Sequence, residues 1–332
     1  MSEPTITIGS QRYDTTRALL DGEVSIEGAR ASFESALIVS DLFRLMLQDH
    51  AFDVCELGLS FYLCTLDLDE PPVVALPVFP VRHFRHSAIF INKSSGIRRP
   101  EDLAGKLVGE LGMYGHDAGV WPKGILSDEY GLKPEQCRWM IGGSDTPFPP
   151  FDFVPQIHPP GVEVTRAPEG KALGPMLEAG ELDALVSAQA PQCVLDGSPR
   201  VGRLFPDYER VERDHFARTG VFPIMHTVVV RRELLAEHPN LVRAIYEAYC
   251  ASKKAAKRYR EGRREQQVAS MVPWLDRLFE ENHRAFPEDW WPYGIKANRR
   301  TLDAFLRYHF DQGLSKRPMA CEDIFVPELL DT

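Results

Sequence analysis

The densest set of chemically useful side chains is Val81-Arg82-His83-Phe84-Arg85-His86-Ser87, where two arginines and two histidines fall within five positions. The run lies between the apolar Leu76-Pro77-Val78-Phe79-Pro80 and the strand-like Ala88-Ile89-Phe90-Ile91. It concentrates positive charge in a chain whose formal net charge is −10, and a small anionic ligand needs such a place. On an extended backbone side chains alternate faces. Arg82, Phe84 and His86 would then share one side, and His83 and Arg85 the other. The alternative is a strand start whose charges sit in water.

Other candidates fall at the ends of elements that could present them. Ala51-Phe52-Asp53-Val54-Cys55-Glu56-Leu57 reads as a short buried strand ending in Glu56, with Ser60 just beyond. A carboxyl buried there would have a raised pKa and could donate a proton, or it could serve as a structural partner of Arg17 or Arg85. Arg17 sits at the start of a helix that follows the alternating strand Thr5-Ile6-Thr7-Ile8. His116 lies in the glycine-bearing loop 110–117, ahead of a helix from about Ala118 to Tyr130. His226, inside the apolar run 221–230, is either a hydrogen-bonded core histidine or catalytic.

Alternation of strands and helices along the chain indicates an α/β fold with largely parallel sheets. Helices are expected at 41–48, 171–179, 240–260 and 301–313, and a strand at 182–187 that runs into Gln189-Ala190-Pro191. The segment 147–160, rich in proline and phenylalanine, has neither period and reads as a flap over a cleft or as a surface excursion. At 332 residues the chain is long enough for two domains.

Charge and composition exclude several classes. The basic positions cluster only from Lys253 to Arg264, on what reads as a solvated helix face, so nucleic acid is not an expected partner. No apolar run approaches the roughly 18 residues of a membrane span. The N-terminal segment lacks the pattern of an export signal, and a cytoplasmic location is expected. The six cysteines are scattered, without zinc-site spacing.

More specific pieces occur in order along nearly the whole chain. They are Tyr13 with Arg17-Ala18-Leu19, Phe52-Asp53-Val54 leading to Glu56 and Ser60, Phe84-Arg85-His86-Ser87, and Leu103-Ala104-Gly105-Lys106-Leu107-Val108-Gly109. Gly180-Glu181-Leu182-Asp183-Ala184-Leu185, Phe222-Pro223-Ile224-Met225-His226-Thr227 and Trp291-Pro292-Tyr293-Gly294 complete the series. Together they resemble the 4,5-dihydroxyphthalate decarboxylase family, which is related in fold to type II periplasmic-binding proteins. The resemblance implies an α/β, two-lobed type II periplasmic-binding-protein-like fold with a ligand cleft between lobes. Residues 1–93 and 200–332 would form the first lobe and 94–199 the second. Two departures stand out: Gln189 lies where relatives tend to carry arginine, and Trp121-Pro122-Lys123-Gly124 replaces a Trp-x-Arg-Gly pattern.

The implied reaction is removal of one carboxylate from a hydroxylated aromatic acid, with no organic cofactor. It needs a base near a ring hydroxyl and an acid near the carbon that loses the carboxylate. His86 and Glu56 are the expected catalytic pair and Arg85 the carboxylate clamp. Arg17, Ser60, His116, Gln189, His226, Trp291 and Tyr293 are the expected substrate contacts. A divalent metal held by some of His83, His86, His116, His226 and Glu56 is the alternative electrophile. The rival function is a non-enzymatic binder or sensor of a small anionic ligand. Homo-oligomerisation through the aromatic C-terminal third is a further expectation.

Overall fold

The computed structural model describes residues 3–149, 151–265, 272–287 and 289–332. The chain opens with β1 (Thr5–Gly9), α1 (Asp14–Leu20), β2 (Arg30–Glu34), α2 (Val39–Leu47), β3 (Val54–Gly58), α3 (Leu59–Thr65) and β4 (Val73–Leu76). It crosses to β5 (Ile89–Asn92), β6 (Leu107–Leu111), α4 (Asp117–Tyr130), β7 (Arg138–Gly142), β8 (Glu163–Arg166), α5 (Leu173–Ala179), β9 (Ala184–Val186), α6 (Gln192–Leu195) and β10 (Val201–Arg203). It returns through α7 (Tyr208–Thr219) to β11 (His226–Arg231), α8 (Arg232–Glu237), α9 (Leu241–Glu265), α10 (Leu275–Ala285), α11 (Arg299–Asp311) and α12 (Cys321–Ile324).

These strands make two sheets, each belonging to one lobe of an α/β, type II periplasmic-binding-protein-like fold. The first has the order β2-β1-β3-β11-β4 and the second β10-β5-β9-β6-β7-β8. β1 pairs parallel with β2 and β3, whereas β11, arriving from the other lobe, pairs antiparallel with both β3 and β4. The central β3 is buried along its whole length. Its Val54, Cys55 and Leu57 are the apolar run that such a position selects, and Glu56 is the exception that must find partners.

The crossings fall between β4 and β5 and between β10 and β11. β5 and β10 pair with each other in the second sheet, so the stretches 89–92 and 201–203 belong there. The two crossing segments lie side by side: Arg82 bridges Ile224, His83 N–H donates to Pro223 O at 3.1 Å, and Met225 N–H to Val81 O at 2.9 Å. The lobes meet closely around α4. Trp121 Nε1 donates to Ile224 O at 2.8 Å, and a Cβ on Gly124 would fall 2.2 Å from the Tyr308 ring of α11. That approach explains a glycine inside a helix, where it otherwise costs about 1 kcal/mol.

The charged run 82–86 is not one extended strand. Arg85 has φ −123° and ψ −2°, and His86–Ala88 is a 3-10 turn, so the expected alternation of faces does not hold. β2, with its polar edge pattern, and the charged α7 carried too weak a hydrophobic period to be expected. Among the described residues no helix is long and apolar enough to cross a membrane.

Candidate active site

Glu56 is fully buried in the middle of β3. Its Oε1 accepts from His226 Nδ1 at 2.6 Å and from Tyr13 O–H at 2.7 Å, and its Oε2 from Gln11 N–H at 3.0 Å and Ser10 O–H at 3.5 Å. Neither Arg17 nor Arg85 is among these partners. The acceptor-only carboxylate fixes the His226 tautomer: Nδ1 carries the proton, and Nε2 is the free lone pair. His226 Nε2 makes no hydrogen bond among the described residues. The Tyr13 phenol, raised well above its usual range by burial and by the Glu56 charge, stays a donor.

Sheet register brings a third group to this pair. His226, the first residue of β11, lies opposite Gly58, the last of β3. A Cβ on Gly58 would lie 2.4 Å from Asp117 Oδ2 and 2.6 Å from the Phe61 ring, so the absent side chain leaves room for a carboxyl from the other lobe. Gly58→Ala should therefore cost about 1–3 kcal/mol by overpacking, read as a lower urea midpoint.

Asp117 begins α4, and its Oδ1 accepts from Ser60 N–H, while Ser60 O–H donates to Gly115 O at 2.5 Å across the lobes. Its Oδ2 is buried and has no hydrogen-bond partner among the described residues. Burial raises its pKa to about 6, with the Ser60 N–H and Arg85 acting in the opposite direction. A carboxylate in the first turn of a helix gains only about 0.3–1 kcal/mol from the dipole, so desolvation wins.

Arg85 is buried, and among the described residues its guanidinium makes hydrogen-bond contacts only with the Met225 thioether, at 3.2 Å from Nε and 2.6 Å from an Nη. Burial lowers its pKa to about 10, opposed by the charges of Asp117 and Glu212. A sulfur is a weak acceptor for a guanidinium, so the strong charge-assisted capacity of Arg85 is unused. His116 caps α4, with Nδ1 accepting from Ala118 N–H at 3.1 Å, and burial lowers its pKa to about 3.

Aromatic residues of 147–160 reach across to the first lobe: Phe151 and Phe153 each lie 5.5 Å from the Phe61 ring, and His116 is edge-on to it at 5.7 Å. Pro150 of that segment lies outside the described residues. On the outer side, Tyr13, Thr15, Phe279, Trp290 and Trp291 line a groove of about 840 Å³, with Lys253 and Arg260 at its wall.

The other expected residues are distributed differently. Tyr293 is buried, and burial pushes its phenol well above the usual range. Trp291 is partly buried, its Nε1 donating to Phe79 O at 2.8 Å. Arg17 lies over the Tyr259 ring at 4.9 Å, and Gln189 is exposed. Arg82 is a structural tie, donating to Phe222 O at 3.1 Å, to Pro292 O at 2.8 Å and to Asn298 Oδ1.

His86 and His215 are buried beside the half-buried Glu129, and the His86 ring meets those of Phe205 and His215 at 5.2 Å. The donors expected to share an ion are thus not gathered: His83 is exposed on the crossing loop, His86 is turned toward α7, and His226 is taken by Glu56. The sequence reading missed Asp117, Tyr13 as a partner of Glu56, and the buried pair Lys123–Glu110, whose Nζ–O distances are 2.7 and 2.9 Å. Asp117 had one signal, its position at a helix start after a glycine loop; Gly112 and Gly115 there have φ of +79° and +91°.

No protein-family model matches the chain. Among solved structures, it is similar to the periplasmic aliphatic sulphonate-binding protein SsuA of Escherichia coli (11% identity, all of both chains, TM-score 0.53). It is similar also to the alkanesulfonate-binding protein SsuA of Xanthomonas axonopodis bound to MOPS (14%, 98% and 99% of the two chains, TM-score 0.55), and to the desulfurization enzyme DSZB (14%, 99% and 98%, TM-score 0.50). These likenesses establish the fold. They also correct the expected cytoplasmic location, because periplasmic proteins share this architecture and the N-terminal segment alone does not place the chain in the cytoplasm. In sequence the chain is 33% identical to a 4,5-dihydroxyphthalate decarboxylase of Comamonas testosteroni, over 100% of this chain and 99% of the relative. It is 34% identical to one of Pseudomonas putida, over 65% and 83%. With identity of that level running end to end, the chain belongs to the 4,5-dihydroxyphthalate decarboxylase family.

Proposed function

We propose that this protein decarboxylates a dihydroxylated aromatic dicarboxylate, 4,5-dihydroxyphthalate or a close analogue, to the corresponding monocarboxylate, in the cleft between its lobes. The observation that carries the reading is the Glu56–His226 pair, with its free Nε2, facing a lobe that contributes a buried carboxyl at Asp117 beside the under-used guanidinium of Arg85.

In this substrate each carboxylate has a hydroxyl para to it. His226 Nε2 takes the proton of that hydroxyl, and the electron pair on oxygen flows into the ring. Asp117, protonated, delivers its proton to the carbon that bears the leaving carboxylate. The C–C bond then breaks, CO2 departs, its electron pair restores the aromatic ring, and the phenolate recovers the proton held by His226. One proton is consumed overall, and it comes from Asp117. Glu56 is a positioning residue in this scheme, because one of its oxygens orients the imidazole and the other is held by Gln11 and Ser10. Arg85 holds the retained carboxylate in the two-pronged geometry that a guanidinium provides. Phe61, Phe151 and Phe153 keep water from the departing carboxylate.

The test is incubation of the purified protein with 4,5-dihydroxyphthalate and with mono- and dihydroxybenzoates, following CO2 and aromatic product. Turnover of the dihydroxylated dicarboxylate supports the reading; tight binding without CO2 release from any of them overturns it in favour of a binder. Arg85→Leu should raise KM by about 10- to 100-fold, corresponding to the roughly 1.5–3 kcal/mol of a hydrogen bond to a charged group, and an unchanged KM would remove the clamp.

A further inference from the structure

We infer that His86, Glu129 and His215 form a binding site for a single divalent transition-metal ion, located where the two interlobe crossings meet the second lobe. Each residue offers one donor atom, and these atoms lie within 4.8 Å of one another. The inference goes beyond the decarboxylase reading and does not depend on it.

The argument begins with unmet hydrogen-bonding capacity. His86 and His215 are 1% and 3% exposed, and their rings face each other with centroids 5.2 Å apart. The His215 Nδ1 is explained by its bond to Glu129 Oε1 at 2.7 Å. The remaining three nitrogens, both of His86 and Nε2 of His215, are buried without a hydrogen-bond partner among the described residues. Buried polar atoms are ordinarily paired, because desolvation of an unpaired one is not returned. One unpaired nitrogen could be a packing accident, but two facing imidazoles beside a carboxylate make a donor set suited to zinc and similar ions.

Distances and charge are compatible with occupancy. Zinc–nitrogen and zinc–oxygen bonds of about 2.0–2.2 Å set tetrahedral donors about 3.4 Å apart, so an ion would draw these three together by roughly 1 Å. Arg218 donates to both oxygens of Glu129, at 3.0 and 3.1 Å, and would remain as an outer partner holding the carboxylate in its ionised form.

The positions give the ion a structural task. His86 lies in the first crossing between β4 and β5, His215 in the second between β10 and β11, and Glu129 near the end of α4. A bound ion would fasten both crossings to the second lobe at the point about which the lobes would move.

The test is titration of the chelator-treated full-length protein with Co(II), read by visible absorption, and with Zn(II), read by calorimetry. One ion per chain is expected, with a Kd of about 1 μM or below. His86→Gln, His215→Gln and Glu129→Gln should each weaken binding by about 100-fold or more. Absence of binding, or an affinity unchanged in these variants, would overturn the site. Should the variants fail to fold, the wild-type chain decides through its histidine side-chain nitrogen resonances. Zinc must shift those of two imidazoles, and a spectrum in which none moves excludes the site. Turnover is not a readout here, so failure of the metal site and failure of the decarboxylase reading are separately visible.

Discussion

His226→Asn is expected to lower kcat by about 10²- to 10⁴-fold, the range that a positioned general base contributes, with the fold retained. The residue is on the first position of β11, with its ring edge-on to Phe43 at 5.3 Å and its Nδ1 bound to Glu56, and an amide preserves the hydrogen bond to Glu56 while removing the basic nitrogen. Glu56→Gln separates orientation from chemistry. A glutamine in that position can present its N–H to Nδ1, which inverts the tautomer and puts a proton on Nε2; kcat then falls while KM stays near that of the wild type. CO2 release at saturating substrate, with circular dichroism as the control for folding, distinguishes these outcomes. A kcat unchanged in His226→Asn would show that the histidine is a core residue, the alternative its sequence context left open.

The second large effect is expected at Asp117. With its pKa raised to about 6 by burial, a proton donor at this position makes the rate fall about tenfold per pH unit above that value. Asp117→Asn removes the donor and with it that limb of the profile. The same shift makes stability depend on pH. The folded state holds the Asp117 proton more tightly than the unfolded chain, whose carboxyl titrates near 3.8. Asp117 therefore loses stability for the protein as pH rises from about 4 to about 6, by about 3 kcal/mol once both states are ionised. Asp117→Asn should accordingly be more stable than the wild type at pH 8, measured by urea unfolding, and gain nothing at pH 4. A less stable variant at pH 8 would mean that the carboxylate is well solvated and unsuited to donation. An ionisable group kept at a cost in stability is the pattern expected of a functional site.

The sequence revealed the fold further than the site. Buried strands such as 54–58 and 226–231 and amphipathic helices such as α9 and α11 carry their period in the residues themselves, and the ordered motifs pointed to the two-lobed architecture. The edge strand β2 and the charged helix α7 are held by neighbours rather than by their own pattern, and neither was legible. At the site, Glu56, Ser60 and His226 stood out as polar groups among apolar neighbours, Arg85 as part of a charged run and His116 as part of a glycine-bearing loop. Their grouping was not readable. The assumption of an extended backbone through 82–86 failed at the 3-10 turn after Arg85, and that turn sends His86 to His215 rather than to Glu56. Asp117 reaches the Ser60 N–H past the glycine at 58, a contact between lobes that no local spacing encodes.

The most direct test of the account is a crystal structure of the His226→Asn protein with 4,5-dihydroxyphthalate bound. The predicted result is a ring in the cleft, with one carboxylate paired to Arg85, the other beside Asp117, and the hydroxyl para to the latter directed at position 226. A ring found instead in the outer groove between Phe279 and Trp290, with the cleft closed over Asp117 and Arg85, would contradict it.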